Sequence, residues 1–123
     1  MFLSLNYGFA SDVSFNRIKV PTPSGKRVKS VLTFSDTDQA IEVKPIKKGS
    51  PVTVPYAEIS KCSYEFTMEP TRNYWLEIHY THDQIPKTLV LHLDRRNYLR
   101  VLDAVKAHTG KDAEVLGNAL KRR

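Results

Sequence analysis

Three groups of side chains in this sequence have the types and spacing to do chemistry. The first is cationic: Lys19, Lys26, Arg27 and Lys29 bracket the loop Pro21-Thr22-Pro23-Ser24-Gly25. Strand periodicity puts Arg27 and Lys29 on one face, so together they can offer fixed positive charge to a phosphate or carboxylate. The plainer alternative is a solvated basic strand end. The second group is Arg95 and Arg96, directly after Asp94, where a helix is predicted to begin. Cations in a first turn oppose the helix macrodipole. A bound anion, Glu65 or Glu69 would offset them, or they are two solvated arginines carrying a small penalty. The third group is apolar. Trp75, with Val31 and Val90, falls on the outward phase of its strand, and an outward tryptophan marks a partner surface. The alternative is that the sheet curls, or the N-terminal segment covers this face, making Trp75 part of a second small core.

Catalytic and metal chemistry find little support. His79 and His82 lie three apart across a strand end, which sends them to opposite faces, while His92 and His108 are far off in sequence. There is no HExxH, CxxC or paired-carboxylate spacing. Ser30, Ser60 and Ser63 sit in no nucleophile elbow, and the five glycines form no phosphate loop. Cys62 falls on an inward phase and is expected to be a buried structural thiol. The expectation is a protein that is not an enzyme and uses no metal or cofactor.

The elements that must position these groups read as strands first and a helix last. A segment from about Asp12 to Val20 slips phase between Val13/Phe15 and Ile18/Val20, which a bulge explains. Alternation returns from Arg27 to Phe34, the turn Ser35–Asp38 leads to Ile41 and Val43, and Pro51 and Pro55 bracket a short edge strand through Val54 and Tyr56. Cys62, Tyr64, Phe66 and Met68 then alternate without error, followed by Tyr74, Leu76, Ile78 and Tyr80, and by Leu89, Leu91 and Leu93. Asp94 is the expected N-cap and Gly110 the left-handed residue after the helix, with Tyr98, Val101, Leu102 and Val105 on its apolar face. These four are expected to face Phe34, Tyr64, Phe66 or Ile78, leaving Arg95, Arg96 and Arg100 wet. Leu102→Asp is expected to unfold the domain.

With 123 residues, 41% hydrophobic and 26% charged, the chain is expected to form one domain with its own core. That core runs from about 12 to 110, with an extra N-terminal strand at 1–11 and a basic tail with a marginal helix at 111–123. No apolar run approaches the roughly 20 residues of a spanning helix, and MFLSLNYGFA lacks a basic leader. The lone cysteine fits a reducing compartment, so a cytoplasmic location is expected. A net charge of +6 favours acidic partners, although part of it sits in the terminal Leu120–Arg123.

From about Lys29 to Lys111 the order of elements resembles a pleckstrin-homology-like (PH-like) domain, especially the small bacterial versions. The residues carrying the resemblance are VLTFSDTDQAIEV, VPYAEISKCSYE, WLEIHY, LVLHL and DRRNYLRVLDAVKAHTGK. It implies a mainly β fold: an antiparallel barrel or sandwich of seven to eight strands closed at one end by the amphipathic helix. It also implies a non-catalytic module that binds lipids or peptides, the bacterial members being similar to domains that assemble into rings. The cluster around Lys26 resembles the family's phosphoinositide signature, but Lys29 stands where that signature has arginine, so bidentate phosphate capture there is lost.

Two readings of function result. One is a binding module for a protein partner or for a second copy of itself, through a sheet edge and the Trp75 face. The other is a binder of anionic headgroups at the inner face of a membrane, using Lys19, Lys26, Arg27 and Lys29. Only Val31 and Thr33 accompany Arg27 and Lys29 on their strand, which argues against a nucleic-acid partner.

Overall fold

The computed structural model describes residues 12–68 and 71–116. Eight strands and one helix follow in order: β1 (Asp12–Pro21), β2 (Arg27–Ser35), β3 (Ala40–Pro45), β4 (Val52–Pro55), a 3₁₀ turn at Tyr56–Glu58, β5 (Ile59–Thr67), β6 (Asn73–His82), β7 (Ile85–Leu93), α1 (Tyr98–Thr109) and β8 (Ala113–Leu116). They form a single sheet in the order β4-β3-β2-β1-β7-β6-β5-β8. All neighbours are antiparallel except β8, which runs parallel to β5.

The alternation that identifies each strand also builds the core. Ile18, Leu32, Phe34, Ile41, Leu76, Ile78 and Leu91 are fully buried on one face. Val101 and Val105 of α1 join the same cluster, and Tyr98 stacks on Tyr74 with ring centroids 4.2 Å apart and on Tyr64 at 6.0 Å. The phase slip in β1 is a bulge: pairing with β2 shifts between Phe15 and Ile18, and Arg17 takes a φ of 62°. The β6–β7 hairpin turns through Asp83 and Gln84, both at positive φ, the geometry of a two-residue primed turn.

Three expectations need correction. The sheet does not close into a barrel: it ends at β4 and β8, which do not pair with each other. β4 is a short strand with prolines at or beside its ends, and β8 occupies the free edge of β5. Secondly, Ala113–Leu116 is a strand and not the start of a marginal helix, because pairing with Cys62–Glu65 satisfies backbone groups that a short isolated helix could not. Thirdly, Asp94 does not cap α1. Its Oδ1 accepts the Arg96 N–H at 2.8 Å and its carbonyl accepts from Asn97 and Tyr98, which makes a separate turn and moves the helix N-cap to Asn97. Arg95 and Arg96 therefore precede the first helical turn, where both are exposed to solvent. Val101 and Val105 are fully enclosed, and Tyr98 and Leu102, each half-buried, pack against the same cluster, so all four expected residues of α1 face the core. Gly110 does end α1 in the left-handed conformation, at φ 76°. The strand expected at 1–11, the basic tail beyond 116 and Glu69 lie outside the described residues.

The C-terminal end of α1 is fastened by a contact that the sequence did not reveal. His108 Nδ1 lies 2.7 Å from Asp36 Oδ1, at the β2–β3 turn, and its ring stacks on Phe34 at 5.4 Å. The same Asp36 oxygen accepts from the Tyr56 hydroxyl at 3.4 Å, and burial with the Asp36 charge pushes the Tyr56 phenol well above its usual range.

Candidate functional site

One face of the sheet meets α1; on the other, pairing registers bring together residues from strands distant in sequence. Glu65 pairs with Trp75, Trp75 with His92, His92 with Lys19, and Lys19 with Lys29, so a single row crosses β5, β6, β7, β1 and β2. Arg27, two residues before Lys29 on β2, leans over this row. Its guanidinium carbon lies 5.4 Å from the centroid of the Trp75 ring, within cation–π range.

Trp75 is half-buried, neither fully outward nor enclosed in a second core. Its indole N–H donates to Thr67 Oγ1 at 3.0 Å, and the ring meets His92 edge-on at 4.7 Å. These contacts lock its orientation. Asn73 Nδ2 donates to the Thr71 carbonyl at 2.9 Å, which turns Asn73 Oδ1 toward His92 Nε2 at 2.8 Å. His92 therefore carries its proton on Nε2 and donates it to Asn73. Arg27 Nη1 stands 3.4 Å from that same nitrogen. Two N–H groups cannot bond each other, so this is a repulsive approach and not a hydrogen bond. Burial holds the His92 pKa below the usual histidine value, and the charges of Arg27 and Lys19 add to the effect against a smaller opposing pull from Asp94.

The structure thus unites part of each sequence-predicted group. Arg27, Lys19 and Lys29 share a face with Trp75. Lys26 stands apart in the exposed β1–β2 turn, where its carbonyl accepts from Thr22 N–H and Oγ1. Val90 is half-buried beside Trp75, diagonal to it through the Glu77–Val90 pair. Val31, on β2 opposite Lys44, is three strands away. Arg95 and Arg96 are exposed in the turn before α1, Arg96 lying 4.0 Å from Asp94. His92, Asn73 and Thr67 were not singled out from the sequence. The signal for His92 was available: counting outward from a two-residue turn at Asp83-Gln84 sets it opposite Trp75.

Elsewhere the reactive side chains are occupied in the fold. Cys62 is fully buried on β5, and burial pushes its thiol up to about 11, so it stays protonated at neutral pH. His79 touches Thr88, Glu77 and Ser63, while His82 contacts Glu58 and Asp83 at the hairpin end. No group of three or more metal-ligating side chains occurs among the described residues.

No family model and no curated protein matches this chain. Among solved structures it is similar to a chain of the Spt16D–Pob3N heterodimer, with a TM-score of 0.63 and 17% sequence identity. The match covers 86% of this chain and 54% of that one, so this chain spans about half the length of the one it matches. The likeness is one of fold, and that fold is PH-like. It lends no support to the bacterial subtype.

Proposed function

We propose that this protein is a non-catalytic binding module that docks an acidic protein partner on the outer face of its sheet, centred on Trp75, Arg27 and His92. The observation that carries the reading is the pairing of Arg27 with Trp75. A large aromatic ring fixed by hydrogen bonding, with an unneutralised guanidinium above it, combines the two residue types that most often dominate binding energy at interfaces. Among the described residues no carboxylate pairs with Arg27, Lys19 or Lys29. A partner's carboxylates would complete them. A solved neighbour of the same fold is a heterodimer of protein chains, which is compatible with this role.

Charge separates a foreign partner from a second copy. A two-fold self-contact whose axis passes by Arg27 would set that guanidinium against its own copy, and like charges across an interface are costly. The headgroup-binding alternative uses the Lys19–Lys29 cross-strand pair with Arg27 and Lys26. Arg27 lying over Trp75 favours a partner with both apolar and acidic groups. With its single cysteine and a buried thiol, the module belongs by our reading to a reducing, cytoplasmic environment.

The test compares proteins co-purifying with the wild-type chain, with Arg27→Glu, with Trp75→Ala and with a Lys47→Glu control. The reading expects one acidic protein retained by wild type and control and lost from both face variants, with the chain itself monomeric by light scattering. Equal recovery by all four would overturn it; loss of anionic-vesicle flotation in Arg27→Glu, with no protein captured, would transfer the face to lipid.

A further inference from the structure

Trp75 lies on a border of charge. Toward one edge of the sheet are the cations of β1 and β2: Lys19, Lys29 and Arg27, the last with its guanidinium carbon 5.4 Å from the indole centroid. Toward the other edge is β5, where Glu65 is the direct cross-strand partner of Trp75 and shares its outward face. Glu65 is half-buried, and among the described residues it forms no ion pair. The other charged groups of this side are engaged locally. Glu77 lies 3.4 Å from His79, and Lys61 lies 3.9 Å from Glu114 on β8.

The unpaired charges on the two sides of Trp75 do not satisfy each other, since no ion pair joins Arg27 to Glu65. Between them the surface is apolar: Val90, half-buried, lies diagonal to Trp75 through the Glu77–Val90 pair. The row from Glu65 on β5 to Lys29 on β2 crosses β6, β7 and β1, which at ~4.8 Å between strands makes about 19 Å. An extended segment of about six residues is long enough to cover it. If such a segment were acidic throughout, it would set a carboxylate against Glu65 beside its own anchor, and like charges across an interface cost affinity. A segment whose charge changes sign at Trp75 satisfies both ends.

We infer that the partner segment docking on this face is dipolar, with carboxylates over β1 and β2, an apolar residue at Trp75, and a lysine or arginine over Glu65. The inference rests on the outer-face reading and adds to it the partner's polarity, and with that the direction in which the partner crosses the strands. The segment stays acidic overall, because Arg27, Lys19 and Lys29 outnumber the one free carboxylate. A uniformly negative surface is a poorer fit, since it meets Glu65 directly beside the aromatic anchor.

The test uses two synthetic peptides without tryptophan and of identical composition, hence identical net charge. One has a block of lysines, a Leu-Phe centre and a longer block of glutamates; the other has the same residues in mixed order. Binding at physiological ionic strength is read from the emission of Trp75, the protein's single tryptophan. The block peptide is expected to bind about fivefold more tightly than the mixed one. Glu65→Lys is expected to weaken the block peptide by a similar factor without weakening the mixed one, and Glu65→Gln to act in the same direction by less. In the wild-type protein, a spin label at the lysine end of the block peptide should broaden the amides of Ser63–Thr67 before those of Lys29–Val31, a readout independent of any variant's folding. Equal binding of the two peptides, tighter binding of the block peptide to Glu65→Lys, or broadening of β2 first overturns the dipolar partner. If Arg27→Glu weakens both peptides while Glu65→Lys tightens both, the outer-face reading stands with a uniformly acidic partner. Binding that Arg27→Glu leaves unchanged, or no binding of either peptide, overturns the dipolar partner and the outer-face reading together.

Discussion

Shortening Val101 and Leu102 to alanine, one at a time, measures which face of α1 seals the core. Val101 is 0% exposed, whereas Leu102 beside it is half-buried. Val101→Ala removes two methyl groups, worth about 1.6 kcal/mol in transfer at ~0.8 kcal/mol per carbon. A residual cavity adds about 1 kcal/mol, giving a loss of about 2–3 kcal/mol. Leu102→Ala removes one more carbon, but from a side chain only partly buried at the margin of the core, so its cost is about 1–2 kcal/mol. For a chain of 123 residues the first change lowers Tm by about 6–15 °C and the second by about 3–10 °C. Urea unfolding followed by far-UV circular dichroism gives both values, with m unchanged if the denatured states match. Aspartate sharpens the contrast: Val101→Asp buries an unpaired charge and unfolds the protein, while Leu102→Asp, at the partly exposed margin of the same core, destabilises it less. If Leu102→Ala costs as much as Val101→Ala, the rotation of α1 described here is wrong.

His92 and His108 give two further tests. Because the folded pKa of His92 lies below its unfolded value, the unfolded chain binds more protons as pH falls through the usual histidine range. Stability should therefore drop as pH is lowered from neutrality toward 5, and His92→Gln should flatten that slope; an unchanged slope would show that another group sets it. His108→Ala removes the 2.7 Å contact to Asp36 and the stack on Phe34, at a cost of about 1–2 kcal/mol. Hydrogen exchange should then speed up in the last turn of α1 before the rest of the helix, and uniform acceleration would contradict a local clasp.

The strands and their inward faces were legible because alternation needs only local sequence. Cys62, Tyr64 and Phe66 declare their side of β5, and the phase slip in β1 announced the bulge at Asn16 and Arg17. What depended on pairing was not legible. Nothing local states whether two distant edges meet, so alternation alone points to a barrel, and the spacing of Ala113 and Leu116 suits a helix because the partner that makes it a strand, Cys62–Glu65, lies some fifty residues earlier. Asp94 has the chemistry of an N-cap, but its side chain serves the turn that precedes α1. The candidate site shows the same division. Arg27 and Trp75 were each picked out by type and phase, yet their meeting depends on β1 lying between β2 and β7, an order that residue spacing does not encode.

The outer face contains the protein's single tryptophan, so its emission reports on that surface alone. Titrating the acidic protein recovered by co-purification into the wild-type chain, with excitation selective for Trp75 and a tryptophan-free form of the partner, reports whether that partner covers the outer face. Docking at Trp75 and Arg27 predicts a blue shift and protection from acrylamide quenching, both absent in Arg27→Glu; binding that leaves the Trp75 emission and its quenching unchanged would contradict it.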